Sequence, residues 1–170
     1  MKPDSRQTIK DFLKPRNGQK LPRQGYYKPI HPEKYIGRLD QIIFRSSWEF
    51  RFLKWCDLNP QIIKYASEPI PIPFFNPLDK RVHKYYVDFY VKLIGQDGKE
   101  AEYLLEVKPN KYIVPPKAPD RMTDKQTANY LWAAKQFITN QAKFEAAKAF
   151  AEQRGVKFGI ITENFLFKSI

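Results

Sequence analysis

KYYVDFYVKLIGQDGKEAEYLLEVK, residues 84–108, is the stretch whose reading decides the fold. Two runs alternate apolar and polar side chains on either side of Asp97–Gly98, a dipeptide that favours a turn between antiparallel strands. In the first run Val87, Phe89, Val91 and Leu93 share one face, with Tyr86, Asp88, Tyr90 and Lys92 on the other. In the second, Tyr103, Leu105 and Val107 back onto Glu102, Leu104, Glu106 and Lys108. Cross-strand neighbours share a face, so the turn determines whether Asp88 meets Glu106. A two-residue loop pairs positions whose numbers add to 195 and sets Asp88 opposite Val107, which separates the acids. A three-residue loop or a single bulge gives 194 or 196 and brings Asp88 opposite Glu106 or Lys108. The even register is expected, because it also unites the two apolar faces.

In that register two carboxylates have Cβ atoms roughly 5 Å apart if directly paired. Anions this close repel unless a cation or a shared proton intervenes. Mg²⁺ suits such a pair: it takes oxygen ligands and keeps several waters. Lys108, on the face of Glu106, can position a water or stabilise developing negative charge. The polar face is therefore expected to be wet because it holds a reaction centre. The bland alternative for Glu106 and Lys108 is a solvated strand face. Asp88 fits that alternative less well, since aspartate is disfavoured in strands.

The flanking chain supplies helices and further strands. RSSWEFRFLKWCDLNP (45–60) reads as a helix opened by a Ser46/Glu49 capping box and stopped at Asn59–Pro60. EPIPIPFF (68–75) reads as a strand whose Pro69, Pro71 and Pro73 confine it to a sheet edge or to packing against a loop. PNKYIVPPKAPDRMTDK (109–125) reads as a loop, residues 125–153 as helix in one or two pieces, and VKFGIIT (156–162) as a last strand. The order places helices on a mixed sheet, an α/β domain over 39–170. Residues 1–38 hold ten Lys/Arg against three acids and five prolines, and read as a basic, extended Pro-rich N-terminal arm.

A net charge of +12 favours polyanionic partners, nucleic acid before a membrane surface. No apolar run approaches the roughly 20 residues that span a bilayer, and the first 20 lack a secretory pattern. Cys56 stands alone, which fits a reducing compartment and excludes an intrachain disulfide. One cysteine and two distant histidines, His31 and His83, make a zinc site improbable.

Asp88 followed by Glu106-Val107-Lys108 resembles the PD-(D/E)xK nuclease motif, and the helix bearing Glu49 resembles the first-helix acid of that superfamily. Together with the proline-alternating strand, YLLEVKP and NQAKFEAAKAF, the chain over about 35–165 is similar to tailed-phage head completion nucleases. It is also similar to the end-cleaving endonuclease subunits of transposons. Val87 stands where the superfamily's name has proline. The resemblance implies a restriction-endonuclease-like core and a Mg²⁺-dependent DNA endonuclease, with Mn²⁺ able to substitute. It implies Asp88, Glu106 and the Val107 carbonyl as metal ligands, Glu49 as a further one, and Lys108 as the catalytic lysine. Asn140 and Lys143 would touch the site or DNA; Arg45 and Lys111 are phosphate contacts or merely solvated. The partners implied are DNA and phage head-neck or portal proteins, in the host cytoplasm or virion, with no membrane. The oligomeric state stays open. The competing reading is a non-catalytic, DNA-binding virion structural protein.

Overall fold

The structure, a computed structural model, describes residues 23–121 and 123–167. Two short strands, β1 (Gly25–Tyr26) and β2 (Ile43–Phe44), pair ahead of helix α1 (Ser47–Leu58). Ser46 Oγ accepts from the Glu49 N–H at 3.1 Å and starts α1 where the sequence placed its cap. Strands β3 (Ile62–Ser67), β4 (Pro71–Asn76), β5 (Arg81–Tyr86), β6 (Phe89–Ile94) and β7 (Glu100–Val107) follow. A single 29-residue helix, α2 (Asp124–Glu152), then leads to β8 (Lys157–Ile161) and the short α3 (Glu163–Phe167). Thr123 and Gln126 close a capping box at the start of α2, and Gly155, at φ +68°, turns the chain out of its end.

The central sheet runs β3-β6-β7-β8, antiparallel in its first two pairings and parallel in the last. Helix α2 is the crossover that the parallel pair requires. In the β6–β7 hairpin the Gly95 N–H donates to the Lys99 carbonyl at 2.8 Å and Gly98 takes φ +74°. Three residues therefore form the loop, with glycine at the left-handed position. Phe89 faces Leu105 and Tyr90 faces Leu104, so paired numbers add to 194. The even register holds.

Two expectations fail in the preceding stretch. The run from Lys84 to Ile94 is not one strand: it breaks at Val87–Asp88, where the chain leaves one sheet and enters another. Residues up to Tyr86 pair with the proline strand instead, with Pro71 opposite Tyr86 and Pro73 opposite Lys84, in a separate two-stranded ribbon. The turn of this β4–β5 hairpin lacks glycine. Lys80 takes φ +58°, its N–H bonds to Asn76 O at 2.9 Å, and Asn76 Oδ1 caps the Leu78 N–H. The break also changes faces, so Val87 packs with Tyr85 and Leu104 rather than beside Phe89.

Each face of the central sheet has its own core. On one, Phe52, Leu53 and Cys56 of α1 pack against Ile62, Tyr65, Phe89, Val91, Leu105 and Val107. On the other, Ala147 and Ala151 of α2 pack with Leu104, Val87 and the inner side of the β4–β5 ribbon, Ile72, Phe74 and Tyr85. The small alanines let the helix lie close to the sheet.

Packing begins well before residue 40. Tyr27 is buried, and its hydroxyl donates to Asp57 Oδ2 at 2.7 Å. The Ile30 and His31 N–H groups complete the shell of that carboxylate at 2.7 and 2.9 Å. Lys34 Nζ caps the end of α1 through the carbonyls of Asp57 and Asn59. The basic arm's first 22 residues lie outside the described residues, while 23–38 clasp the domain.

Candidate active site

Strand pairing and the break in the chain bring the motif residues together. Glu106 sits near the end of β7 on the face covered by α2, and the bend between β5 and β6 aims Asp88 toward it. Asp88 Oδ2 accepts from the Val107 N–H at 2.8 Å. Among the described residues, Oδ1 has no hydrogen-bond partner. Glu106, only 4% exposed, accepts from the Tyr85 hydroxyl at 2.7 Å through Oε2 and pairs with Lys108 Nζ at 3.1 Å through Oε1. The expectation of a wet face holds only in part: Glu106 is buried beneath α2 and the β4–β5 ribbon, while Asp88 and Lys108 stay partly exposed.

Burial pushes the Asp88 carboxyl well above the usual carboxylate range, and the charges of Glu106 and then Glu49 push further in the same direction. The Val107 N–H and the Lys108 ammonium only partly counter this. Lys143, reaching down from α2, lies 5.6 Å from the centre of the Tyr85 ring and 5.7 Å from that of Phe74. Desolvation lowers its pKa, helped by the like charge of Lys108.

Asp88, Glu106, Arg45 and Lys143 line a cavity of about 620 Å³. Glu49, Val107, Lys108 and Asn140 line a second, of about 460 Å³, and the Lys108–Glu106 ion pair links the two. Glu49 is committed to the start of α1: Oε1 accepts from Ser46 Oγ at 2.9 Å and Oε2 from the Arg45 N–H at 2.7 Å. Arg45 is ion-paired with Glu68 at 2.8 Å. Asn140 is buried and donates to the Tyr112 carbonyl at 3.3 Å. Lys111 lines neither cavity and lies 4.8 Å from the centre of the Tyr112 ring.

Sequence reasoning missed Tyr85 as a partner of Glu106, because the hairpin that buries it was not foreseen. It missed Glu68 for the same reason: the residue stands at the exit of β3, at φ +44°, with no motif to mark it.

A divalent cation fits the donor set. Two carboxylates converge, one crowded by the other's charge, and no cluster of three or more His, Cys, Asp or Glu occurs among the described residues. Such a site gives few ligands of its own.

A mixed sheet flanked by helices, with an acid at the head of one strand and Glu-x-Lys at the end of its neighbour, defines the restriction-endonuclease-like class. Residues 59–163 match the family described as TnsA-like endonuclease N terminal. The chain is also 34% identical over 142 residues to the head completion nuclease of Enterobacteria phage T4, covering 84% of this chain and 92% of that one. No solved structure matches it. This chain belongs to the TnsA-like endonuclease family, within the PD-(D/E)xK nucleases. The family is one of enzymes that hydrolyse nucleic-acid phosphodiesters. Among the described residues, no helix is long and apolar enough to cross a membrane.

Proposed function

We propose that the protein is a divalent-metal-dependent DNA endonuclease that processes DNA ends during phage head completion. The observation that carries this reading is the convergence of Asp88, Glu106 and Lys108, with Lys108 Nζ 3.1 Å from Glu106. Asp88, Glu106 and the Val107 carbonyl would hold the ion, with Glu49 as a further donor once released from its cap. A bound divalent ion supplies a water of lowered pKa and neutralises charge on the phosphoryl oxygens.

The protein's own groups do the rest. Tyr85 and Lys108 fix Glu106 in one orientation by taking one oxygen each. The Lys108 ammonium faces the place where negative charge develops and holds the attacking water there. Lys143 brings a second, partly desolvated positive charge to the phosphate, and Arg45 and Lys111 bind the backbone on either side. Asn140 positions the loop after β7 through Tyr112. The role in head completion rests on the name of the phage relative. Phage head-neck or portal proteins would then be the partners that bring the enzyme to its DNA.

The test is nicking of supercoiled plasmid with Mg²⁺ or Mn²⁺. Wild type should cut and Asp88→Ala should not. Undiminished cutting by Asp88→Ala would refute the site.

A further inference from the structure

The 460 Å³ cavity beside Lys108 has a second character that phosphodiester hydrolysis alone does not use. Its walls are Trp48, Tyr112 and Trp132, with Gln136 and Asn140 offering amide groups between them. Trp132 is 55% exposed on α2, an unusual placement for the largest apolar side chain. It meets Tyr112 edge-on, with ring centres 6.4 Å apart and planes at 78°. These walls are held. Asn140 ties the Tyr112 carbonyl to α2, and Glu163 accepts from the Asn110 N–H at 2.9 Å, so the turn at Asn110–Tyr112 is pinned from two sides. Trp48 is braced by Phe167, 5.3 Å between ring centres. The volume falls within the roughly 300–1,000 Å³ of small-molecule pockets.

We infer that this cavity is a nucleobase subsite, which takes one unstacked base of the strand being cut. Three observations converge on that occupant. The walls are aromatic, and every base has a face that stacks on such rings. A cation, Lys108, stands in its lining, as a phosphate-linked ligand requires. Val107 and Lys108 belong both to this cavity and to the carboxylate cluster, so the base would be next to the scissile phosphate. A base inside a duplex cannot enter; the strand must be unpaired, frayed at an end, or flipped. The inference rests on the nuclease reading and deepens it: the preferred substrate carries an unpaired nucleotide at the cleavage point.

The experiment is DNA binding in EDTA, which prevents cutting, followed by fluorescence anisotropy. Three labelled hairpin duplexes are compared: fully paired, with one unpaired nucleotide, and with an abasic residue at that place. Wild type should bind the unpaired form roughly tenfold more tightly than either of the others, as stacking of one base allows. Trp132→Ala and Tyr112→Ala should each remove most of that preference, while Trp132→Phe keeps it. Equal binding of all three duplexes by wild type would overturn the subsite. So would an equal loss on all three in Trp132→Ala, which would assign Trp132 to general grip. So would an unchanged preference in both alanine variants, which would leave the aromatic walls to a protein partner. Plasmid nicking is scored separately: a wild type that prefers the unpaired form yet never cuts would defeat the nuclease reading and leave the subsite standing.

Discussion

Two buried carboxylate centres sit about α1 and the central sheet, and they are built on opposite principles. Asp57 is fully buried and receives three donors, the Tyr27 hydroxyl and the Ile30 and His31 N–H groups. Asp88 faces Glu106 and Glu49, receives one N–H, and is held toward its protonated form. A carboxylate surrounded by donors stabilises the fold; one set against other carboxylates stores an unfavourable interaction that a cation can relieve. The difference separates a fastening from the proposed reaction centre without reference to any motif.

The contrast breaks if the two centres respond alike to mutation. Asp88→Ala and Lys108→Ala should each lower the nicking rate by about 10³-fold or more while leaving the unfolding midpoint near that of wild type. Asp57→Ala should do the reverse, costing about 3 kcal/mol in urea unfolding because three donors are left buried and unpaired. Its specific activity per folded molecule should stay at the wild-type value. Divalent ions sharpen the comparison: Mg²⁺ at 100 times its dissociation constant should stabilise wild type by about 2.7 kcal/mol and Asp88→Ala by much less. Equal stabilisation of both by calorimetry would mean the ion binds elsewhere. A modest gain should come from Asp88→Asn, which removes the repulsion and should stabilise the ion-free protein by about 1 kcal/mol while abolishing nicking.

The sequence shows the hairpin at Asp97–Gly98 and its register because two apolar faces constrain the pairing and only an even sum satisfies both. The α1 cap is legible for a similar reason: Ser46 and Glu49 act within one turn. The β4–β5 ribbon is not legible. Its turn uses Asn76 and Lys80 where a glycine would have announced it, and its strand runs on into β6 with only Val87 and Asp88 between. The burial of Glu106 is hidden because α2, some 40 residues further along the chain, covers it through an alanine stripe that reads as an ordinary helix face. Asp57 left one clue, a carboxylate in the last turn of a helix, where the macrodipole disfavours it. Only the N-terminal donors, packed from far away in sequence, make it tolerable.

The break at Val87–Asp88 has a mechanical side. One acid hangs at the joint between the ribbon and the central sheet, the other is fixed inside the sheet itself. The gap between them is therefore set by how the ribbon leans against α2, through Ile72, Phe74 and Tyr85. Volume changes at those three positions would widen or narrow the space between the two acids and so, on the metal-dependent reading proposed above, retune the choice of ion without altering a single proposed ligand.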